Sequence, residues 1–417
     1  MINLLKFNRH WENDYFYPYP QTRDIFNTLI QKKEQRQIVE ILGLRRTGKT
    51  TLLFQLINHL KQNFVSPKQL WYFTFDEAVY DLDELFLEFQ KQTGIRFKDT
   101  KVYVFLDEIQ KLPDFQSKIK IYYDLYPEIK FFISGSMSLF IRKKAQESLA
   151  GRTVQIILKP LSFKEYLKFN QKDELINNSE LYWQEIETQF ERYLRRQFIE
   201  TIKMDNDSAN EYLISILKKV IYEDIPTLFS VANPSVLFAI LRLIASYPGL
   251  YLHHETLASD LKISQPTFAK YLTILEEAFL IKILYNFTGN MITSQKKLKR
   301  AYLASPSFSL ALNEQADMGL IIENYYLSQK DISFFWRDPY KHEIDFVVQK
   351  SGKFLPIEVK FKKEIRNIDL RNLKLFIRKF KPEEAWVLTR MHQDQTISIS
   401  DVPVHLKSIY KDGLNPS

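Results

Sequence analysis

The stretch that decides the fold is residues 37–51, Gln37-Ile38-Val39-Glu40-Ile41-Leu42-Gly43-Leu44-Arg45-Arg46-Thr47-Gly48-Lys49-Thr50-Thr51. Its first part is an apolar, β-branched run that predicts a buried strand. A loop with the spacing Gly-x4-Gly-Lys-Thr follows, and apolar residues then recur at helical spacing, at Leu53, Leu56, Ile57 and Leu60. Strand, glycine loop and helix in this order are the context that a phosphate-binding P-loop requires.

Each part of this loop has a chemical role in the predicted site. Gly43 and Gly48 permit backbone angles and close approaches that a Cβ would forbid. The loop amides and the helix dipole favour a bound anion. Lys49 would place a cation on the β- and γ-phosphates, and the Thr50 hydroxyl would bind Mg²⁺. The predicted nucleotide-binding residues are Gly43, Leu44, Arg45, Arg46, Thr47, Gly48, Lys49, Thr50, Thr51 and, from a later strand, Ser134.

The alternative is a glycine-rich turn between a strand and a helix that binds no ligand. The chain contains only 10 glycines, and two of them stand at the required positions of this motif. The spacing, the strand before it and the helix after it therefore favour a nucleotide site.

A second motif lies at residues 102–108, Val102-Tyr103-Val104-Phe105-Leu106-Asp107-Glu108. A hydrophobic strand that ends in Asp-Glu downstream of a P-loop is the Walker B pattern. Asp107 would hold Mg²⁺ through water, and Glu108 would polarise the attacking water. The alternative is a solvated acidic turn after a strand.

Two further strand ends supply polar candidates. The strand at residues 131–133 ends in Ser134-Gly135-Ser136, and either serine could contact the γ-phosphate or the water. Arg152 precedes a fifth predicted strand, at residues 154–158, and is a candidate contact to nucleotide in cis or, in an oligomer, in trans. The alternative for the two serines is a plain turn, and the alternative for Arg152 is a surface arginine with no role in the site.

The order of these strands indicates the class of NTPase. The Walker B strand is third in the chain, so an extra strand separates it from the P-loop strand. With Glu108, this order points to the additional-strand, catalytic-glutamate branch of P-loop ATPases. No Asn-Lys-x-Asp segment of the GTP-binding type is present, so ATP is the expected nucleotide.

Composition limits the remaining classes. The chain has 417 residues, which suggests two or three domains, and 45% of them are hydrophobic. It contains no cysteine, no export signal at its start and no apolar run long enough to span a membrane, so we expect a cytoplasmic protein. The net charge of +8 is compatible with DNA or RNA as a partner but equally with an ordinary basic protein.

Residues 235–285 predict three helices followed by a strand, the pattern of a winged helix-turn-helix. Gln265, Thr267 and Lys270 would lie on the exposed face of the third helix, where DNA is read. The basic run at residues 296–300 would add positive charge on the wing. Acidic neighbours weaken the DNA-binding interpretation, and a lid that packs against the ATPase is the alternative.

A third constellation lies near the C-terminal end. Strands at residues 344–348 and 355–360 predict a hairpin carrying Asp345, Glu358 and Lys360. Side chains alternate along a strand, so Glu358 and Lys360 share a face. Carboxylates there would bind Mg²⁺ or Mn²⁺, Lys360 would activate water, and Glu323 on a preceding helix would add a ligand. The alternative is a hairpin with a Glu-Lys ion pair.

These motifs together resemble one family. Residues 43–50, 106–110, 133–136 and 158–166 are similar to the prokaryotic AAA-type ATPases related to archaeal ATPases and STAND NTPases. The resemblance implies a C-terminal domain of the restriction-endonuclease type, with the PD-(D/E)xK active site at Asp345, Glu358 and Lys360. Ile344 stands where that motif has its proline. Little about cellular role follows from the resemblance.

The sequence thus predicts an α/β protein. Its parts are an N-terminal lead-in (1–35), a P-loop ATPase with a parallel sheet of the additional-strand type (36–165), a helical region (166–234), a winged-helix segment (235–300) and a nuclease-like α/β domain (301–417). The expected function is Mg²⁺-dependent ATP hydrolysis coupled to a domain that cleaves or binds nucleic acid. A nucleotide switch with a non-cleaving C-terminal domain is the alternative, and a homo-oligomer or a nucleotide-dependent protein partner is left open.

Overall fold

The structure, a computed structural model, describes residues 3–77, 80–137, 149–288, 298–350 and 352–414. The chain forms two compact units. The first contains residues 1–159 together with 277–279, and the second contains residues 160–276 and 280–417. Within the described residues, no helix is both long and apolar enough to cross a bilayer.

The first unit is built on a five-stranded parallel sheet in the order β2-β3-β4-β1-β5. β4 lies between the P-loop strand and the Walker B strand and pairs with both, so the predicted additional-strand arrangement is present. The strands are β1 (Ile38–Leu42), β2 (Leu70–Thr74), β3 (Val102–Asp107), β4 (Ile129–Gly135) and β5 (Thr153–Ile157).

Helices cover both faces of this sheet. They are α1 (Phe26–Gln31), α2 (Lys49–Gln62), α3 (Leu82–Thr93) and α4 (Phe115–Leu125). Alternate residues of β1 enter opposite cores: Val39 and Ile41 pack with α2, and Ile38 and Leu42 pack with α3 and α4. A parallel sheet buried on both faces needs apolar residues at nearly every strand position, which explains the near-continuous hydrophobic runs of the sequence.

The second unit begins with a run of helices, the first of which share a hydrophobic core with a larger sheet. These helices are α5 (Phe163–Phe169), α6 (Asp173–Asn177), α7 (Trp183–Arg195), α8 (Asn206–Lys219), α9 (Ile225–Leu228), α10 (Pro234–Ser246), α11 (His254–Asp260) and α12 (Gln265–Glu277). A π-helical turn, Val220–Asp224, joins α8 to α9.

The sheet of the second unit is mixed, with the order β13-β14-β12-β11-β10-β9-β7-β8-β6. Its strands are β6 (Leu250–Tyr251), β7 (Ile281–Asn286), β8 (Lys299–Leu303), β9 (Phe334–Arg337), β10 (Glu343–Lys350), β11 (Lys353–Lys360), β12 (Ala385–Thr389), β13 (Gln395–Ile399) and β14 (Val402–Ser408). Its later helices are α13 (Pro306–Leu312), α14 (Met318–Gln329), α15 (Arg371–Phe380) and α16 (Ile409–Leu414).

The continuity of this sheet corrects two predicted boundaries. The boundary between residues 300 and 301 falls inside β8, and β7 pairs in parallel with β9, so the predicted winged-helix and C-terminal segments share one sheet. The boundary after residue 165 falls inside α5, whereas the units divide between Lys159 and Pro160. Sequence patterns locate elements but do not show which strands pair, because strand pairing is a long-range property.

Candidate functional site

The glycine loop connects β1 to α2 through strained backbone angles. Gly43 has a φ of +145°, Arg46 of +67° and Gly48 of +95°. A Cβ built on Gly43 would lie 2.3 Å from the carbonyl oxygen of Leu158, so this position accepts only glycine without a shift of backbone. α2 begins at Lys49, directly after Gly48, as the motif predicted.

Lys49 lies inside the curve of this loop. Its side chain is buried, and Nζ donates hydrogen bonds of 3.0 Å to the carbonyl oxygens of both Gly43 and Leu44. The Thr47 hydroxyl donates to the same Leu44 oxygen at 2.8 Å. The ammonium group is therefore held where loop and helix meet, at the place where a P-loop binds phosphate.

Asp107 ends β3 and accepts hydrogen bonds from three hydroxyl groups. Thr50 Oγ1 and Tyr72 Oη donate to its Oδ2 at 2.6 and 3.1 Å, and Ser134 donates to its Oδ1. Burial raises the pKa of the Asp107 carboxyl above its ordinary value, and the neighbouring Glu108 raises it further. A buried carboxylate with a hydroxyl beside it is a hard-oxygen ligand set that suits Mg²⁺.

Glu108 follows in a left-handed conformation with a φ of +50°. Its Oε2 accepts hydrogen bonds from Ser136 Oγ at 3.0 Å and from the Gln110 side-chain amide. Gln110 also donates to Ser136 Oγ at 3.1 Å, and within the described part of the chain its own buried Oε1 has no hydrogen-bond partner. The carboxylate is thus oriented by two neighbours, and an unsatisfied acceptor lies beside it.

The structure assigns the two predicted serines to different carboxylates. Ser134, expected near the γ-phosphate, is fully buried and donates to Asp107. Ser136 lies beside Glu108. The parallel register explains this, because the ends of β3 and β4 meet at the same edge of the sheet as the P-loop.

Arg152 is not a cis contact to this loop, which corrects that alternative. Its carbonyl accepts from the Ile38 amide at the start of β1, and its guanidinium pairs with Asp124 through bonds of 3.0 and 3.2 Å. Because β1 and β5 are parallel, Arg152 lies at the edge of the sheet opposite the P-loop, roughly 15–20 Å away at about 3.3 Å per residue. Its role in trans stays a prediction.

Three residues of this region were missed by sequence reasoning. They are Tyr72, Gln110 and Arg23, whose guanidinium is buried and donates to the carbonyl oxygens of Thr47 and Lys159 at 3.0 Å each. Gln110 lies two residues after Glu108, which was a usable signal. In the sequence, Tyr72 looks like an ordinary core aromatic residue and Arg23 like an ordinary surface arginine.

Two further residues were predicted to bind nucleotide. Thr51 is half-buried in the first turn of α2. Arg45 lies 3.9 Å from Asp76, measured between its Nη2 and Oδ2.

The second candidate site lies on the hairpin of β10 and β11, whose antiparallel pairing was predicted. A β-bulge interrupts the pairing of β10 with β9 between Ile344 and Val347, so Asp345 lies in the bulge. Asp345 Oδ2 accepts from the Val359 amide at 2.7 Å, next to Glu358. Bulges of this kind redirect side chains and occur beside active sites.

Glu358 is buried and pairs with Lys360, whose Nζ lies 2.5 Å from its Oε1. Its Oε2 is buried and has no hydrogen-bond partner among the residues that the structure describes. Burial and then the nearby Asp345 raise the pKa of Glu358 well above its ordinary value. Burial alone would lower the pKa of Lys360, but the carboxylates of Glu358 and Asp345 raise it above the usual range for lysine. Lys360 is therefore an ammonium ion beside a desolvated acid.

Glu323, predicted as a further metal ligand, is engaged elsewhere. Arg300 Nη2 and Tyr302 Oη each donate to its Oε2 at 3.0 Å, and Arg300 also binds Glu343 at 2.6 Å. Burial, followed by Asp345, raises the pKa of Glu323 to about 8. Arg300 was predicted to be an exposed charge on a wing, but it is buried at this centre.

In the part of the chain that the structure describes, no group of three or more His, Cys, Asp or Glu side chains is arranged to hold a metal ion. This corrects the prediction of a three-carboxylate ligand set from Glu323, Asp345 and Glu358, because the buried guanidinium of Arg300 competes for Glu323. Asp345 and Glu358 still fit a cation, since Glu358 offers an unpartnered oxygen.

A helix lies where the third helix of the winged helix-turn-helix was predicted, as α12. Ser264 Oγ accepts from the Thr267 amide at 3.2 Å, which caps this helix, and Gln265 is exposed. Lys270 Nζ donates to the carbonyl of Ser230, and Thr267 Oγ1 bonds to Ser264, so both side chains have intrachain partners. Lys296 and Lys297 of the predicted basic run lie outside the described residues.

Family models match three parts of this chain. A model described as an AAA domain matches residues 35–167. Residues 188–318 and 311–409 match two domains of unknown function, DUF8612 and DUF4143.

Similar proteins occur in archaea and bacteria. One is the uncharacterized protein MJ1544 of Methanocaldococcus jannaschii, which is 26% identical over 90% of this chain and 89% of its own length. Another, from Haemophilus influenzae, is 25% identical over 80% of this chain and 84% of its own length. These relatives carry no named activity.

Among solved structures, Cdc6p from Pyrobaculum aerophilum aligns at a TM-score of 0.31 and 13% identity, over 76% of this chain and 98% of its own. AMPPCP-bound DnaA from Aquifex aeolicus aligns at a TM-score of 0.29 and 16% identity, over 63% and 93%. The AAA match over residues 35–167 agrees with the strand order and the loop geometry, which are those of a P-loop fold.

Proposed function

We propose that the chain hydrolyses ATP at the loop of residues 43–50, with Asp107 and Glu108 as its acidic partners. The observation that carries this proposal is the convergence of Thr50, Ser134 and Tyr72 on Asp107, with Glu108 as the next residue. Residues from three strands and the P-loop helix meet at one edge of the sheet, where open α/β sheets bind their ligands.

Each residue has a role that follows from its chemistry. The loop amides and Lys49 would bind the phosphates, with Lys49 exchanging its two carbonyl partners for phosphate oxygens. Thr50 and Asp107 would hold Mg²⁺. This ion, when bound, would neutralise charge on the β- and γ-phosphates. Glu108, oriented by Ser136 and Gln110, would accept a hydrogen bond from the attacking water.

The test is phosphate release from ATP by the full chain and by Glu108→Gln. We expect Glu108→Gln to lower kcat by about 10²- to 10⁴-fold, the range attributed to a positioned base, with nucleotide affinity by calorimetry retained. Glu128→Gln, an exposed residue just before β4, is the matched control and should behave as the unchanged chain. Unaltered hydrolysis by Glu108→Gln would contradict the assigned role. Absence of magnesium-nucleotide binding would contradict the whole proposal.

A second candidate function is metal-dependent cleavage of a nucleic acid at Asp345, Glu358 and Lys360. It is favoured by the bulge at Asp345 and by the unpartnered Glu358 oxygen. Asp345 and Glu358 would hold a divalent cation, and Lys360 would orient water toward a phosphodiester. Glu323 would act through Arg300 rather than as a ligand.

Lys360→Ala tests this activity against a panel of DNA and RNA substrates with Mg²⁺ or Mn²⁺. Cleavage should be lost in Lys360→Ala and retained in Lys353→Ala, a largely exposed lysine at the other end of the same strand. Binding without cleavage in the unchanged chain would instead support the alternative, in which the C-terminal region only recognises nucleic acid and ATP acts as a switch. Stimulation of ATP hydrolysis by DNA would support coupling in either case.

A further inference from the structure

A row of basic side chains runs along one face of α15 (Arg371–Phe380). The row, called here the basic stripe, consists of Arg371, Lys374, Arg378 and the capping residue Lys381. The spacings of three, four and three residues bring these side chains onto one face, about 15 Å long at 1.5 Å per residue. The opposite face is apolar and buried through Leu373, Phe376 and Ile377.

The stripe is part of a strongly positive segment. Residues 362–381 contain eight lysines and arginines against two acidic residues, Glu364 and Asp369. Asp369 pairs with Lys362 at 2.6 Å. Among the described residues, Arg371, Arg378 and Lys381 have no ion pair, and all three are exposed. Most of the positive charge of this segment is therefore available to an external polyanion.

The topology places the start of the stripe at the end of the sheet that carries the hairpin carboxylates. β11 and β12 are parallel neighbours and α15 is their connection, so the first turn of α15 lies at the edge where β11 ends at Lys360. Glu358 pairs in register with Val387, which belongs to the core under α15. Side chains of paired residues point to one face, so Glu358 and Lys360 project on the face that α15 covers.

We propose that the basic stripe binds the sugar-phosphate backbone of duplex DNA and directs it to Asp345, Glu358 and Lys360. This inference rests on the proposed nuclease function and names its substrate class. A duplex is favoured over a single strand because single-strand sites combine cations with exposed aromatic rings for base stacking. The aromatic residues of segment 361–381 are Phe361, Phe376 and Phe380, and all are buried or part-buried against the two cores.

The test measures binding without cleavage. Fluorescence anisotropy with a labelled 20-bp duplex in EDTA would follow affinity across a salt series, for the full chain and for the double variant Arg371→Gln/Arg378→Gln. Each lost phosphate contact should reduce the slope of log K against log salt by about 0.9, which amounts to tens of fold weaker binding at about 0.1 M salt for the pair. The matched control is Lys218→Gln/Lys219→Gln, two exposed lysines at the end of α8. Thermal unfolding and ATP hydrolysis verify that each variant is folded.

The outcomes separate this inference from the function on which it rests. Weaker binding and a smaller salt slope only in the stripe variant would support it. An equal loss of duplex affinity in the stripe and control variants, or no loss in either, would overturn it. The comparison of the unchanged chain with Lys360→Ala would still test cleavage independently. Tighter binding of single strands, RNA or vesicles of anionic lipid than of the duplex would overturn the choice of partner. A Lys360→Ala variant that binds the duplex but does not cut it would show that binding and chemistry are separable.

Discussion

Thr50 Oγ1 donates a 2.6 Å hydrogen bond to Asp107 Oδ2, across 57 positions of sequence. This bond joins the first turn of the P-loop helix to the end of the Walker B strand. It forms although the two strands concerned, β1 and β3, are not neighbours, since β4 lies between them. This hydrogen bond therefore forms only when the P-loop helix and the Walker B strand are correctly packed together.

Thr50→Ala removes the hydroxyl from this pair. We expect hydrolysis to fall by about 100-fold, which corresponds to roughly 2.7 kcal/mol of lost transition-state stabilisation, and more Mg²⁺ to be needed for half-maximal rate. Thr93→Ala in the last turn of α3 is the control and should leave both quantities unchanged, since the Thr93 hydroxyl donates to the Phe89 carbonyl and accepts from the Ile95 amide, both local contacts. A Thr50→Ala enzyme with normal magnesium dependence would remove Thr50 from the proposed metal site.

Gly43→Ala should destabilise the first unit by several kcal/mol, since the new Cβ would lie 2.3 Å from a backbone oxygen. Gly94→Ala is the control that has backbone strain without a clash, because Gly94 also has a positive φ but no atom beyond its chain neighbours lies within 4 Å of the added Cβ. Its expected cost is only about 1–2 kcal/mol. Urea denaturation of both variants measures the difference, and equal costs would mean that the Leu158 segment moves aside.

Glu40 is a buried carboxyl in β1, and burial raises its pKa from 4.5 to about 8 despite a hydrogen bond from Gln155. Below pH 4.5 the folded and unfolded states both hold this proton. As pH rises to 8, only the folded state keeps it, so stability falls over that window by up to about 5 kcal/mol at 1.36 kcal/mol per pH unit.

Glu40→Gln abolishes this titration while keeping a side chain of the same size. We therefore expect the variant to gain stability relative to the unchanged chain as pH rises from 5 to 8, with no gain near pH 4. Denaturant unfolding at several pH values measures this. A stability difference that does not vary with pH would show that Glu40 does not titrate in this window.

Arg300→Met should destabilise the second unit by about 3–5 kcal/mol, because it removes the buried guanidinium that pairs with Glu323 at 3.0 Å and with Glu343 at 2.6 Å. The double variant Arg300→Met/Glu323→Gln should recover part of this loss, since it also removes the buried carboxyl with which Arg300 pairs. Arg242→Met is the control, an exposed arginine of α10 whose loss should cost under about 1 kcal/mol. Equal effects at Arg242 and Arg300 would contradict the proposed network.

Local sequence patterns were sufficient to predict the strands, the loop and the helix that carry both candidate sites. The P-loop, the Walker B strand and the hairpin of Asp345 and Glu358 each occupy contiguous residues, and alternation or helical spacing within them follows from backbone geometry alone. The order of strands along the chain likewise predicted that an extra strand separates the Walker B strand from the P-loop strand, and the structure shows that β4 lies between them.

Pairings between distant residues required the tertiary structure. Nothing near Ser134 indicates that its hydroxyl faces Asp107, nothing near Arg300 indicates that it is buried against Glu323, and Arg152 reads as a candidate ligand until the register of β5 places it at the far edge of the sheet. Sequence determines which residues can form a strand, a loop or a helix, since those preferences are local. Which side chains then meet depends on the register and order of strands across the sheets, and these are set by the packing of the whole core.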